Sequence, residues 1–202
     1  MKKIFALIGA LSLVGITACG SVNSAATLGD ITITQEELQS SVDQLLTERA
    51  AVDTSQMQLE SGATLIRSQL RFQVVTTIFE EIAKELKINL TDSEIAANRA
   101  SLIAQSGGEA ALPTNLVAAQ IASINFDKYI RASLITNKIN EALLATGVAE
   151  ADLNTRISQL VSAKAQQLKI SINPRYGTWD QDAGDIVEID SAGDAVTTDS
   201  NK

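Results

Sequence analysis

The chain has 202 residues, of which 45% are hydrophobic and 3% aromatic, with a net charge of −8, no histidine and one cysteine. The missing histidine excludes Ser-His-Asp and Cys-His catalysis, and one cysteine forms neither an intramolecular disulfide nor a thiolate metal cluster. An acidic chain without a basic run argues against nucleic acid. We therefore expect no enzymatic activity, cofactor or metal, although abundant carboxylates leave a paired-acid hydrolase formally open.

The N-terminal segment has the features of an export signal. Lys2 and Lys3 precede the uncharged apolar run Ile4–Val14, which is too short for a stable transmembrane helix. The sequence Ile16–Cys19 then resembles the bacterial lipobox, and this resemblance implies that Cys19 becomes the lipidated first residue after cleavage. The first 26 residues would then consist of a signal peptide (1–18) and a lipid tether (19–26). The alternative is an ordinary secretory signal that happens to contain a cysteine.

The first elements after the tether are a short strand and a helix. Thr27–Ile33 reads as a strand interrupted at Gly29, with Ile31 and Ile33 on one face. A capping box at Thr34–Glu37 predicts a helix start, and the helix has one apolar stripe made of Leu38, Val42, Leu45 and Leu46. The stretch from 50 to 63 has weak periodicity, and we read it as a loop or a marginal helix.

A long helix over Thr64–Leu86 is predicted to be the centre of the fold. One apolar row repeats every fourth residue, and a second row lies beside it; their members are Ile66, Leu70, Val74, Ile78, Ile82 and Leu86, then Phe72, Val75, Phe79 and Ala83. A face of this width requires neighbouring helices on two sides. A second capping box at Thr91–Glu94 then predicts a third helix over Asp92–Gln105.

The remaining elements complete a mainly α domain over residues 27–180. A short helical segment over Glu109–Ala122 is expected to break near Pro113, and Asn125 is expected to cap the next helix. A last helix is predicted over Ala151–Leu168. The strand Ile170–Ile172 is predicted to pair with Ile31–Ile33 in a small two-stranded sheet that joins the ends of the domain. The acidic segment 181–202 is predicted to be a disordered tail.

The order of these motifs resembles the peptide-binding domain of exported chaperones of the SurA and PrsA type. The matching stretches are Gly29–Leu38, Ile66–Leu86, Leu86–Ile95, Phe126–Arg131 and Asn173–Trp179. The resemblance implies a helical domain that binds extended apolar polypeptides. Such chaperones commonly carry parvulin prolyl isomerase domains before the last helix. Here Leu144 is followed almost directly by Val148, so the chain has no room for one.

We therefore interpret the protein as a lipid-anchored chaperone on the extracytoplasmic face of a bacterial membrane. Its expected partners are unfolded or newly exported polypeptides, together with the membrane through Cys19. Candidate residues for the peptide groove are Met57, Leu59, Phe72, Phe126 and Tyr129, with Met57 favoured because methionine adapts to varied partners. The alternative is a structural or interaction lipoprotein that binds one specific envelope or secretion partner.

Overall fold

The computed structural model describes residues 23–189, and this part of the chain is mainly helical. Its six α-helices are Gln35–Ala50 (α1), Gly62–Glu85 (α2), Asp92–Gln105 (α3), Leu112–Ala118 (α4), Phe126–Ala145 (α5) and Leu153–Leu168 (α6). The strands are Ser24–Leu28 (β1), Ile31–Thr34 (β2), Ser171–Ile172 (β3), Thr178–Asp180 (β4) and Asp185–Val187 (β5). Single 3-10 turns at Ser123–Asn125 and Glu150–Asp152 lead into α5 and α6. The predicted mainly α fold is confirmed for the described residues.

A three-stranded antiparallel sheet joins the two ends of the described chain, in the order β2-β1-β3. Leu28 pairs with Ile31 across the hairpin, and Ala26 pairs with Ile172 of β3. Gly29 adopts the turn at a φ of 59° and donates its N–H to the carbonyl of Leu168, at 2.6 Å. The predicted direct pairing of β2 with the Ile170 strand is therefore wrong, because β1 lies between them.

Two domain boundaries also differ from the sequence-based expectation. Ala25 and Ala26 were assigned to the lipid tether, yet they lie in β1 and are 0% and 1% exposed. Ile186 was assigned to the disordered tail, yet it lies in β5 and is 6% exposed in the main core. Ala25 and Ala26 are small, and Ile186 and Val187 are apolar residues in a segment otherwise rich in acidic and small residues, so only the pairing partners reveal a strand in either place.

Of the predictions for the helix starts, some are confirmed and others are wrong. Both capping boxes are present, with Thr34 and Glu37 at α1 and Thr91 and Glu94 at α3. Asn125, by contrast, makes no side-chain cap for α5 and turns inward instead. The predicted break at Pro113 is also absent, since this proline occupies the first turn of α4, where its missing N–H costs no hydrogen bond.

Helix α2 is the centre of the fold, as predicted, and contacts α1, α5, α6, β1 and β5. Leu70, Val74 and Ile78 are 0% exposed, so most of the predicted apolar row is core. Leu86 ends that row and is 50% exposed, because α2 terminates there and no helix covers it. Leu46, from the predicted stripe of α1, is 47% exposed for the same lack of a neighbour.

A second, smaller core lies between α3, α4 and α5. Its buried members are Ile103, Leu116, Phe126 and Ile130. One ion pair and one hydrogen bond join α5 to the start of α3 and to the loop before it: Lys138 donates to Glu94 at 2.6 Å and to the Asn89 carbonyl at 3.0 Å. Glu94 therefore has two roles, since it completes the capping box of α3 and also binds Lys138 of α5.

Candidate functional site

One face of α2 is left partly uncovered by its neighbours. Phe72, Val75 and Phe79 follow an i, i+3, i+7 spacing, which places them on one side of the helix. All three are only half-buried, whereas Val74 and Ile78 on the adjoining face are fully buried. An aromatic-rich stripe in this state is a natural place for an apolar ligand to pack.

A cavity of about 310 Å³ opens between this stripe and α5. Its lining is mostly apolar and consists of Ser68, Arg71, Phe72, Val75, Thr76, Phe79, Tyr129 and Ala132. Tyr129 is 38% exposed and stacks its ring on Phe126, with the centroids 6.4 Å apart. The α5 wall therefore presents an aromatic side chain opposite Phe72.

A second cavity of about 320 Å³ lies between the same stripe, α6 and the β4–β5 hairpin. Val75 and Phe79 line both cavities, so the two adjoin along α2. Ile157 and Val161 of α6 and Trp179 of β4 complete the apolar lining. We call this combined depression the α2 groove. Each half has a volume at the lower end of the range typical of ligand pockets, roughly 300–1,000 Å³.

Two ion pairs and one buried apolar side chain hold the β4–β5 hairpin, which forms one wall of the groove, against α2. Arg67 pairs with Glu188 at 2.7 Å and Arg71 pairs with Asp185 at 3.3 Å. Ile186 is buried beneath the hairpin. Both acidic partners are well exposed, so each ion pair contributes only about 0–1 kcal/mol to the stability of the fold. The buried side chain of Ile186 therefore contributes most to holding the hairpin against α2.

The opposite wall is held by a bidentate ion pair between α2 and α5. Arg131 donates to both carboxylate oxygens of Glu80, at 2.6 and 2.9 Å. These hydrogen bonds raise the pKa of Arg131, which means that the ion pair favours the charged guanidinium. This geometry fixes the rotation of α5 and with it the position of Tyr129 at the groove.

Two of the five predicted groove residues line the α2 groove, namely Phe72 and Tyr129. Met57 and Leu59 instead pack, partly buried, against the main core. Phe126 is 5% exposed in the second core, with the guanidinium carbon of Arg99 lying 5.0 Å from its ring centroid. None of these three residues lines either cavity of the α2 groove.

Val75, Phe79 and the α6 wall were missed as groove residues. The sequence contains a signal for the first two, because they belong to the second apolar row of the central helix. Of that row, only Phe72 was named as a groove candidate. The contribution of Trp179 could not be found from sequence, since it depends on the β4–β5 hairpin folding against α6.

The chemistry that the groove offers is apolar contact. Its only charged lining groups are Arg71 and Asp182, one in each half. Among residues 23–189 no cluster of acidic or cysteine side chains is suited to hold a metal ion. No helix in this range has the length and apolar character needed to cross a membrane. The predicted lipid site, Cys19, lies outside the described residues.

Comparison of the chain with protein-family models, with curated proteins and with solved structures found no match in any of the three. The resemblance to SurA-type domains therefore depends on the sequence motifs alone.

Proposed function

We propose that this protein is a non-enzymatic chaperone that holds apolar segments of unfolded polypeptides in the α2 groove. The observation that carries the proposal is the continuous, half-exposed stripe of Phe72, Val75 and Phe79 between two walls. Burying apolar surface there stabilises a complex by about 25 cal/mol per Å² before the costs of association are subtracted. A shallow groove of this kind favours weak, reversible binding, which suits a protein that must release its clients.

The proposed location is the extracytoplasmic face of a bacterial membrane. The motif at Ile16–Cys19 supports it, since a diacylated cysteine anchors a protein stably where a single acyl chain is marginal. Clients would be polypeptides that emerge unfolded from export. The groove is then a holding site close to the membrane surface.

The test is suppression of aggregation by variants of the groove and of a matched surface site. Val75→Asp places a charge at the junction of the two cavities, so we expect delayed aggregation of a reduced, unfolded client to be lost. Leu46→Asp is the control, because Leu46 is an exposed apolar residue on α1 that lines neither cavity. Circular dichroism must show that both variants remain folded.

The outcomes separate the two interpretations of the sequence. Loss of activity in Val75→Asp with full activity in Leu46→Asp supports the groove as the client site. Equal loss in both variants contradicts it. If the unmodified protein protects no unfolded client but captures one partner tightly from envelope extracts, the alternative of a specific interaction lipoprotein replaces the chaperone.

A further inference from the structure

The structure shortens the tether between the proposed lipid anchor and the fold. Strand β1 begins at Ser24, and Ala25 and Ala26 are buried in the sheet, so these residues are not part of the tether. Cys19 stands only four positions before Asn23, the first described residue. A chain spans at most about 3.6 Å per residue, so the Cα atoms of Cys19 and Asn23 lie no more than about 14 Å apart. With the lipid on Cys19, the surface around Asn23 is therefore held close to the headgroup layer of the membrane.

Hydrogen bonds identify the surface around Asn23. Its carbonyl accepts from the backbone N–H of Gln35 at 2.8 Å, which places the start of β1 beside the start of α1. The next carbonyl, that of Ser24, accepts from Nδ2 of Asn173 at 2.9 Å, so the segment that follows β3 borders the same point. Arg175 of that segment donates from Nη1 to Oε1 of Gln35 at 3.1 Å. The tether therefore leaves the fold next to Arg175 and to the start of α1.

A cavity of about 410 Å³ opens beside Arg175, and its lining combines cationic, aromatic and aliphatic side chains. Arg67 lines it and is paired with Glu188 at 2.7 Å. Arg175 is exposed, and within residues 23–189 it pairs with no carboxylate. Tyr176 is half-buried in the lining, and Ile189 is 48% exposed. This part of the surface thus presents an unpaired cation next to apolar side chains.

We infer that this surface, which we call the Arg175 face and which comprises Arg175, Tyr176 and Ile189, docks on the phospholipid headgroups of the membrane. The guanidinium of Arg175 binds a lipid phosphate, since its N–H donors form a fixed fork that matches phosphate oxygens. Tyr176 suits the same layer, because a tyrosine has an apolar ring and a polar hydroxyl and is favoured where a membrane meets water.

The other side of the tether exit has the opposite charge. Glu36 and Glu37 follow Gln35 at the start of α1, and both are exposed. An anionic headgroup layer attracts a nearby arginine and repels these carboxylates, so the domain rests on the Arg175 face. The inference rests on the proposed lipid anchor at Cys19. It is independent of client binding, since the cavity at the Arg175 face and the α2 groove share no lining residue.

The test supplies the anchor chemically. The chain from Cys19 onward contains every described residue and a single cysteine, so a maleimide-bearing phospholipid couples at that one position. The ¹⁵N-labelled conjugate is inserted into nanodiscs of phosphatidylcholine and phosphatidylglycerol in equal parts, where a gadolinium-labelled lipid broadens the amide signals of residues near the bilayer. We expect stronger broadening at Tyr176 and Gly177 than at Glu36 and Glu37, although both pairs lie close to the tether exit. Equal broadening of the two pairs, or stronger broadening at Glu36 and Glu37, overturns the inference.

Charge variants then test the role of Arg175 in the conjugate. Arg175→Gln should lower the ratio of docked to undocked domain about fivefold, as expected for one arginine beside an anionic membrane surface. Arg156→Gln is the control, because it removes an equal charge from an exposed position of α6 outside the cavity. Amide shifts away from the substituted positions must show that both variants remain folded. An unchanged pattern in Arg175→Gln, or an equal change in both variants, overturns the inference.

Failure of the docking inference is distinguishable from failure of the proposed location. A native protein without lipid on Cys19 would contradict the location, whereas the conjugate carries its lipid by construction and reports only on the face that docks.

Discussion

Gly177 occupies a position at which the backbone conformation and a close neighbour leave no room for a side chain. Its φ is 133°, a conformation that residues with a side chain rarely adopt, and an added Cβ would lie 2.3 Å from the carbonyl oxygen of Val187. The glycine therefore lets β4 approach β5 closely enough to form the hairpin wall of the α2 groove.

We expect Gly177→Ala to destabilise the protein by more than the roughly 1–3 kcal/mol that backbone strain alone costs, because a steric clash adds to it. Gly184→Ala is the control: its φ is 61°, but a Cβ there meets nothing within 4 Å. Urea unfolding of both variants measures the difference. Equal losses of stability in the two variants would show that the Val187 carbonyl does not restrict the side chain at position 177.

Among residues 23–189, Glu94 is the acidic residue with the most strongly shifted pKa. The hydrogen bond from Lys138, followed by those from Thr91, lowers its pKa from 4.5 to about 2. A lowered pKa stabilises the folded state above pH 4.5, and that contribution disappears as the pH falls from 4.5 towards 2.

Glu94→Gln should therefore lower the melting temperature at neutral pH, and the gap to the parent protein should close as the pH approaches 2. Glu141→Gln, on an exposed position of α5, should change the melting temperature little at any pH. Melting curves at several pH values provide the measurement. A gap that is independent of pH would mean that the carboxylate charge contributes nothing.

At the scale of elements, the β4–β5 hairpin decides whether the chain after Asp180 is part of the domain. Ile186 is 6% exposed and belongs to the main core, whereas its neighbour Val187 is 38% exposed. Adjacent strand residues point to opposite faces, which accounts for the contrast.

Ile186→Ala should cost about 2–5 kcal/mol, as for other large-to-small core substitutions. Val187→Ala removes an aliphatic side chain from the exposed face and should cost much less. Chemical denaturation of the two variants checks the ratio. Comparable small effects would restore the sequence-based view that the folded domain ends near Asp180.

For the whole molecule, protection of unfolded clients should be insensitive to salt. Protection through the α2 groove should persist in high salt, because screening leaves apolar burial intact. Aggregation assays across a salt series provide the measurement. Client protection that vanishes in salt would assign that activity to the acidic surface.

The membrane anchor is a separate prediction for the whole molecule. Mass spectrometry of the protein from native membranes should show an N-terminal Cys19 that carries a diacylglyceryl group. Cys19→Ala should leave an uncleaved or soluble product. A mature terminus elsewhere, without lipid, would contradict the proposed location.

The sequence by itself determined the features that depend on neighbours along the chain. Both capping boxes and the third helix at Asp92–Gln105 were predicted correctly, because a cap and the periodicity of a helix involve residues three or four apart. The central position of α2 followed from the width of its apolar face, which requires cover on two sides.

Only the tertiary structure decided which apolar residues remain exposed and can contact a ligand. Phe72 and Phe126 look alike in the sequence, yet one lines the groove and the other is buried in the second core. The same holds for β1, whose residues are mostly small, and for β5, which is only three residues long; each is a strand because of the partner with which it pairs. The physical reason is that burial and strand pairing depend on which surfaces meet in three dimensions, and periodicity along one segment does not contain that information.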